Sequence, residues 1–327
     1  MLLAFLTPTP RTWAQARTLK ISHQFPGGTL EQGDFRDRLC RKFAAEVEQR
    51  TNGSLKLEVY PGSSLMKTNS QFSALRKGAL DLSLFPLAYA GGEMPELSMT
   101  MMPGLVTTYD QGAAWHHAPV GKELSKLLEE KGVMILTWIW QADGVASRGT
   151  PVVDPDSVKN LKIRGGSREV DVALKAAGAA VISLPSNEIY VAMQTGAMDA
   201  ALTSSTSLIS FRLEEVSKSL TTGRGRAYLF TFEPLLMSKA IFDTLTPEQQ
   251  AALRAVGDEM EVFATEQAKA DDQAVADVYT KAGAKVVDLS EETVEKWRII
   301  SRDSSWKDFA AKSESCARLI KLAQEIK

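Results

Sequence analysis

Arg164 is the residue whose type and position best suit binding chemistry. It directly follows an apolar strand pattern that begins at Leu161. Ligands of open α/β sheets lie beyond the carboxyl ends of the strands, so we expect the Arg164 side chain to face a cleft. A guanidinium group offers paired N–H donors in the geometry that a carboxylate accepts, and this pairing strengthens where water is excluded. Arg164 is therefore predicted to bind a ligand carboxylate; the alternative is an ordinary exposed arginine.

A run of small hydroxyl residues occupies positions 203–207. Each hydroxyl group both donates and accepts hydrogen bonds, so we expect Thr203, Ser204 and Ser205 to contact carboxylate or hydroxyl groups of a ligand. The run is interpreted as a loop that follows a strand. A solvated turn is the alternative.

Other candidate ligand contacts lie near the ends of further predicted elements. His23 and Gln24 follow the first strand as Arg164 follows its own, and a neutral imidazole can donate to a ligand oxygen. Tyr89 is expected to form a wall of the cleft and to donate a hydrogen bond. The remaining candidates are Gly166, Ser186, Trp140, Phe230 and Arg148.

Three of these candidates have plain structural alternatives. Trp140 is favoured over Trp138 as the tryptophan that lines the cleft. Phe230 and Phe232 are assigned to a strand that returns to the first domain, and at least one of them is expected in the core. An exposed arginine at a strand end is the ordinary case for Arg148.

The sequence has no pattern typical of catalysis or of a metal site. Its histidines are His23, His116 and His117, and no Ser/His/Asp order, phosphate loop or zinc-ligand spacing accompanies them. Adjacent histidines on a helix are expected to point away from each other, which disfavours chelation. We therefore predict a binding protein that is not an enzyme and has no cofactor or metal. The alternatives are a two-domain α/β enzyme acting on a small carboxylate and a ligand-sensing domain.

Charge and hydropathy exclude two classes of partner. The 38 Lys and Arg residues nearly balance the 40 Asp and Glu residues, giving a formal net charge of −2, so a nucleic-acid partner is not expected. Apolar stretches such as residues 133–140 are too short to span a bilayer and predict buried strands. The chain is therefore not expected to be embedded in a membrane.

The elements that position these residues follow a repeated pattern. Residues 19–81 and 161–199 each predict strand, helix, strand, helix, strand, and each unit ends in Gly-Ala-x-Asp. Gly78 and Gly196 fall where a helix must end, because glycine adopts the left-handed conformation that terminates helices. Alternating strands and helices predict mostly parallel sheets, and hence two similar α/β domains with a ligand cleft between them.

The segment after the second repeat predicts a long helix. It is rich in Ala, Glu, Gln and Lys, and Thr246 and Pro247 supply an N-cap and a first-turn proline. The predicted division of the chain is 17–142 for the first α/β domain, with part of 230–285 returning to it, 143–229 for the second, 246–282 for the long helical segment and 283–327 for a C-terminal strand and helices.

Residues 1–16 predict export. A short apolar run is followed by Ala14, Gln15 and Ala16, the small-x-small pattern of a secretory cleavage site. A basic amino-terminal region is missing, so the segment is interpreted as a truncated signal peptide or as the result of a late start codon. The alternative is a frayed N-terminus.

Two cysteines, Cys40 and Cys316, lie far apart in the sequence. In an exported protein they can form one disulfide, but two buried free thiols are the preferred interpretation.

Several motifs together resemble a known family. They are Asp156 to Arg164, Glu188 to Gly196 with Asp199, His23 to Pro26, Thr51 to Gly53, Tyr60 to Gly62, Gly78 to Asp81, and Leu245 to Gln250. In order and spacing they resemble the solute-binding proteins of tripartite ATP-independent periplasmic (TRAP) transporters, of the DctP type. The resemblance covers about residues 18 to 325.

The resemblance implies a periplasmic protein that closes around an organic acid anion and delivers it to a TRAP membrane permease. It also implies that the long helix spans both domains and that Arg164 forms a salt bridge with the ligand carboxylate. Many members of the family have Asn at the position of Thr203, and this departure argues against transferring ligand identity. A monocarboxylate, a dicarboxylate, or a hydroxylated or aromatic acid all remain compatible with the sequence.

Overall fold

The structure is a computed structural model that describes residues 16–326. Except for Ala16, the predicted export segment lies outside the described residues. The strands are β1 (Arg17–His23), β2 (Leu55–Tyr60), β3 (Leu82–Leu84), β4 (Val133–Thr137), β5 (Trp140–Ser147), β6 (Lys162–Arg164), β7 (Ala180–Ile182), β8 (Ala200–Ser204), β9 (Ser219–Thr222), β10 (Phe230–Phe232), β11 (Leu235–Ser238) and β12 (Lys285–Asp288). The α-helices are α1 (Phe35–Arg50), α2 (Gln71–Arg76), α3 (Tyr109–His117), α4 (Pro119–Glu130), α5 (Arg168–Ala176), α6 (Ile189–Gln194), α7 (Ser205–Ser210), α8 (Lys239–Phe242), α9 (Pro247–Lys281), α10 (Glu291–Ser301), α11 (Lys307–Ala310) and α12 (Glu314–Gln324).

The described residues form two sheets with matching strand orders. The first sheet has the order β2-β1-β3-β11-β4, and the second has the order β7-β6-β8-β5-β9-β12, with β10 paired to β5. Within each sheet the strands of the repeat run parallel, whereas β11 and β5 run antiparallel to their neighbours. We call the first sheet with its helices the first lobe and the second sheet with its helices the second lobe. The predicted two-domain α/β fold is confirmed, but the prediction of mostly parallel sheets is wrong, because both sheets are mixed and half of the strand pairs are antiparallel.

The two repeats use the same local chemistry. Gly78 and Gly196 both have positive φ, at 68° and 77°, where α2 and α6 end. The aspartate that closes each motif then accepts a hydrogen bond from the backbone of the repeat's own first strand. Asp81 accepts from the N–H of Lys20 at 2.8 Å, and Asp199 accepts from that of Lys162 at 2.9 Å. Each Gly-Ala-x-Asp motif therefore ends a helix and fastens the following strand to its neighbour.

Two crossing segments connect the lobes. The chain passes from β4 into β5 and returns from β10 into β11, and these segments lie side by side. The N–H of Glu233 donates to the carbonyl oxygen of Ile139 at 2.9 Å, and Phe230 pairs with Ala142. The strand that contains Phe230 therefore pairs with β5, and β11 is the strand that returns to the first sheet. The predicted domain boundary, between residues 142 and 143, falls inside β5.

Helix α9 packs against both lobes. Thr246 caps it with a reciprocal hydrogen-bonded pair to Gln249, and Pro247 occupies its first position. Leu253 and other apolar side chains of its first half join the core around α1 and the first sheet. Tyr279 and its neighbours in the last turns join the core of the second lobe. The helix is long enough to do this because 35 residues at about 1.5 Å per residue span roughly 50 Å.

Both cysteines are free and buried in separate places. Cys40 lies on α1 in the core of the first lobe, and Cys316 lies on α12 in a different apolar cluster. Of the two interpretations, the structure shows the two free thiols.

The rings of His116 and His117 stack with their centroids 4.5 Å apart. The expectation that they point away from each other is therefore wrong. His116 also reaches α9, where its Nδ1 lies 3.1 Å from the Oε1 of Glu261. This hydrogen bond raises the pKa of His116 above its ordinary value.

We predict that Glu261→Gln lowers the pKa of His116 toward about 6.5, the ordinary value for histidine. Because the folded pKa is raised, the stabilisation is fully present below the unfolded pKa and is lost as pH rises through the folded pKa. Wild type should therefore lose more unfolding free energy between pH 6 and pH 8 than the variant does. Histidine titration by NMR and denaturant unfolding measure both quantities. Equal His116 pKa values in the two proteins would contradict the assignment.

Candidate functional site

The guanidinium group of Arg164 is buried at the carboxyl end of β6, with 1% of the residue exposed. Its Nε donates to the carbonyl oxygen of Leu184 at 3.1 Å, and its Nη1 donates to that of Leu202 at 2.7 Å. Its Nη2 donates to the Tyr89 hydroxyl at 2.6 Å. All three acceptors are neutral, and no carboxylate of residues 16–326 forms an ion pair with this group. These neutral contacts hold the side chain in place and leave it without a direct ion pair.

Tyr89 brings the first lobe to Arg164. Its hydroxyl oxygen accepts from Arg164 and also from the backbone N–H of Ser186 at 3.2 Å. A tyrosine hydroxyl has one hydrogen of its own, so after accepting twice it still has a donor for a further group. The hydroxyl oxygen of Ser186 is buried and has no partner among the described residues. Three predicted site residues from two lobes therefore meet at one point, with two hydroxyl groups still able to bind.

Gly166 makes room for the guanidinium group. Its φ is 94°, a conformation that side chains rarely adopt. A Cβ at this position would lie 2.6 Å from Nη1 of Arg164 and 2.9 Å from the terminal methyl of Met101. Glycine is thus required by the backbone conformation and by the space that the guanidinium group occupies.

His23 and Gln24 lie at the carboxyl end of β1, next to the end of β3, from which the chain continues toward Tyr89. The Nε2 of His23 lies 3.1 Å from a carboxylate oxygen of Asp37, so this ring is already engaged within the first lobe. The side-chain oxygen of Gln24 accepts a hydrogen bond from the Thr68 hydroxyl. The side-chain nitrogen of Gln24 is buried and has no partner in the described part of the chain. The Nδ1 of His23 is likewise buried without a partner in the described part of the chain, so each of the two residues keeps one nitrogen able to bind.

The predicted hydroxyl loop is a strand end followed by a helix. Thr203 and Ser204 close β8, and Ser205 begins α7. Ser204 caps α7 by accepting from the N–H of Ser207, and the Ser205 hydroxyl donates to the carbonyl oxygen of Ala142 at 3.4 Å. The loop interpretation is therefore wrong, because these residues belong to the end of β8 and the start of α7. Thr203 adjoins Leu202, whose carbonyl oxygen holds Arg164.

Trp140 and Phe230 are packed in the core. The Trp140 ring lies 5.1 Å from that of Trp115 and 4.7 Å from that of Phe232, measured between centroids. The Phe230 ring meets that of Tyr109 edge-on at 5.0 Å. The structure does not bring either residue to the Arg164 group.

Arg148 and Arg164 lie at opposite strand ends of the second sheet. Arg148 follows β5, and its backbone N–H donates to the carbonyl oxygen of Asp199 at 2.8 Å, before β8 begins. The side chain is exposed. Arg148 lies far from Arg164 because of the direction of β5. This strand is antiparallel to β8, so its first residues lie at the cleft and its last residues lie at the far end of the sheet.

Sequence reasoning missed Asp143 because it did not reveal the antiparallel direction of β5, which brings the start of this strand to the cleft. Asp143 pairs with Ser204 at the cleft end of β5, and the Thr231 hydroxyl lies 2.8 and 2.7 Å from its two oxygens. Burial raises the pKa of Asp143 well above the ordinary range, and the Thr231 hydrogen bond only partly opposes this. The carboxyl group is therefore biased toward its neutral form. An acidic residue inside an apolar stretch was the signal in the sequence.

Arg36 was also missed, because a charged residue in the first turn of a helix usually faces solvent. Its side chain is fully buried, and the guanidinium carbon lies 3.5 Å from the centroid of the Phe25 ring. It pairs with Asp34 at 2.7 Å and with Glu233 at 2.7 Å. Burial alone would lower the pKa of Arg36, but the two carboxylates outweigh it and raise the pKa above the usual arginine value.

A cavity of about 580 Å³ opens beside Tyr89 and Gly166. The chain around Ala88 to Gly92 forms one side, and α5 with residues 183–188 forms the other. Asp171 on α5 also lines it, and burial raises the pKa of this carboxyl group to about 6. The cavity therefore reaches Tyr89 and Gly166, which both contact Arg164, while Arg164 itself is not among its lining residues.

One cluster among residues 16–326 has potential metal ligands. His116, Asp258 and Glu261 each place one such atom within 4.8 Å of the others. Within this cluster, His116 and Glu261 are hydrogen-bonded to each other.

Comparison with known proteins decides the family. Residues 29–313 match the family described as bacterial extracellular solute-binding protein, family 7, or DctP. The chain belongs to this family. A solute-binding protein from Albidiferax ferrireducens is 65% identical over 324 residues, covering 99% of this chain and 96% of that protein.

Solved structures agree with the family assignment. A TRAP periplasmic solute-binding protein from Rhodoferax ferrireducens, with bound malonate, has 66% identity and a TM-score of 0.94, covering 94% of this chain and 98% of that one. A TRAP protein from Sulfurospirillum deleyianum, with bound succinate, has 23% identity and a TM-score of 0.82, covering 95% and 99%, and shows the shared fold. This chain is thus a periplasmic solute-binding protein of the TRAP type. No helix within residues 16–326 is both long and apolar enough to cross a membrane.

We predict that Gly166→Ala weakens ligand binding by this DctP-type protein. The new methyl group would displace the Arg164 guanidinium or the Met101 side chain, and the left-handed backbone adds roughly 1 kcal/mol of strain. Gly225→Ala is the matched control, since Gly225 also has positive φ, at 72°, but has open space around it. Gly166→Ala should lose more stability than Gly225→Ala in thermal unfolding, because the clash adds to the backbone strain, and only Gly166→Ala should lose affinity in calorimetry. Equal affinity in both variants would show that this space is not needed.

Proposed function

We propose that this protein captures a carboxylate-containing organic acid between its lobes and delivers it to a TRAP membrane permease. The observation that carries the proposal is the buried Arg164 guanidinium, whose protein partners are all neutral. A buried charge is costly unless it is paired. A ligand carboxylate would supply the missing pair and would accept a charge-assisted hydrogen bond.

The groups around Arg164 suit the same ligand. The free hydrogen of the Tyr89 hydroxyl can donate to a carboxylate oxygen, and the Ser186 hydroxyl lies beside it. On the first lobe, the unpartnered amide nitrogen of Gln24 adds a donor at the end of β1. These donors come from both lobes, so a ligand bound to all of them would favour a closed cleft, as in hinge closure of rigid domains.

Arg36 does not suit the role of ligand anchor. It is as deeply buried as Arg164, but Asp34 and Glu233 already neutralise it. Of these two buried arginines, Arg36 is ion-paired with carboxylates, whereas Arg164 has no carboxylate in ion-pair contact among residues 16–326. This contrast supports Arg164 as the site of the incoming carboxylate.

Malonate is the first ligand to test, because the Rhodoferax ferrireducens protein with 66% identity holds malonate. Other short organic acids belong in the same thermal-shift screen. A ligand at 100 times its dissociation constant adds about 2.7 kcal/mol to the free energy of unfolding, which such a screen detects.

We predict that Arg164→Ala weakens binding of the screened acid by roughly 30-fold to several thousand-fold, corresponding to about 2 to 5 kcal/mol. Arg164→Lys keeps the charge but not the planar fork, so it should recover only part of the loss. Arg148→Ala is the matched control, since it removes an exposed arginine at the far end of the same sheet. Calorimetry measures the affinities, and circular dichroism checks the fold. Wild-type affinity in a folded Arg164→Ala protein would overturn the proposal.

A further inference from the structure

Arg36 joins three parts of the molecule at the base of the cleft. It belongs to the first turn of α1 in the first lobe. Its Nη1 donates to the Ser207 hydroxyl of the second lobe at 3.0 Å, and the Ser204 hydroxyl lies 3.4 Å away. The same nitrogen lies 2.7 Å from the Glu233 carboxylate, on the segment that crosses between the lobes.

The Arg36 guanidinium group is held from two sides, by Asp34 of its own lobe and by Glu233 of the crossing segment. Asp34 receives hydrogen bonds from Nε and Nη2, at 2.9 and 2.7 Å. Glu233 also accepts from the Gln141 amide and is tied by its own backbone to Ile139. The guanidinium plane is therefore held in one orientation before it meets the second lobe.

The contacts with Ser204 and Ser207 differ in kind. They cross directly from one lobe to the other, so separation of the lobes breaks them and leaves the contacts with Asp34 in place. Hydrogen bonds to a charged group contribute more than those between neutral groups. They are also shielded from water, since both serines are buried. A contact of this sort stabilises the closed arrangement selectively.

We infer that Arg36 is a positioning residue that holds the closed cleft through Ser204 and Ser207 and thereby slows the release of the bound acid. The inference rests on the proposed function for its ligand. Arg36 does not touch the ligand in this account; it acts through the relative position of the lobes. Its effect therefore falls on the dissociation rate, because the contact forms only after the lobes have closed.

Ser207→Ala is the sharpest test. It removes an acceptor of Arg36 in the second lobe and leaves both carboxylate partners intact. We expect malonate dissociation, measured by stopped flow, to accelerate about tenfold, with the association rate within about twofold of wild type. Ser210→Ala on the same helix is the matched control and should leave both rates unchanged. Unchanged dissociation in Ser207→Ala, or equal acceleration in the control, would overturn the inference.

Arg36→Lys provides a second variant. A lysine ammonium lacks the planar fork that contacts Asp34, Glu233 and Ser207 together, so dissociation should again accelerate. The thermal midpoint of the ligand-free protein separates this effect from misfolding. If that midpoint falls sharply for Arg36→Lys, the Ser207→Ala result alone decides.

A measurement without ligand separates failure of this inference from failure of the proposed function. Spin labels at Lys67→Cys and Val191→Cys, both at exposed positions on different lobes, report the distance between the lobes by pulsed electron resonance. Cys40 and Cys316 are buried and do not compete for the label. Ser207→Ala should shift the ligand-free distribution toward longer distances, even if no organic acid binds. Identical distributions in wild type and Ser207→Ala would overturn the inference, whatever the ligand results.

Discussion

A buried arginine without a carboxylate partner is the constraint on which the rest of this site depends. Moving a charged group out of water costs several kcal/mol even after the protein relaxes. The structure offsets part of this cost for Arg164 with two backbone carbonyls and one tyrosine hydroxyl. Those neutral acceptors orient the fork without neutralising it. In the proposed function an anionic ligand would complete the arrangement, so the same geometry that costs stability in the free protein would favour binding.

The architecture delivers this arrangement by repeating one unit. In each lobe, parallel strands end at a common edge, and the Gly-Ala-x-Asp motif fixes the neighbouring strands to each other. Each sheet is then completed by an antiparallel strand that continues from, or leads into, a crossing segment. The two edges face each other because the crossing segments lie side by side. Tyr89 of one lobe can therefore contact Arg164 of the other.

Local patterns were sufficient to predict the repeat, the glycine-terminated helices, the cap of α9 and the strand-end position of Arg164. Each depends on residues close together in the sequence. Sequence left Arg148 open between a ligand contact and an exposed strand-end arginine, because the direction of β5 is not evident locally; this strand runs antiparallel and places Asp143 at the cleft instead. Arg36 could not be found from its helix-start position, since its partners Glu233 and Ser207 lie far away in the sequence. Long-range pairing of charges is the information that local patterns lack.

The central claim is that Arg164 anchors the carboxylate of the bound acid. A crystal structure of the protein with malonate, or with another acid from the screen, tests this claim most directly. The account predicts carboxylate oxygens at about 2.7 to 3.0 Å from the Arg164 guanidinium nitrogens, with the Tyr89 hydroxyl donating to the same group. A ligand whose carboxylate lies elsewhere, with Arg164 still bonded only to Leu184, Leu202 and Tyr89, would contradict it.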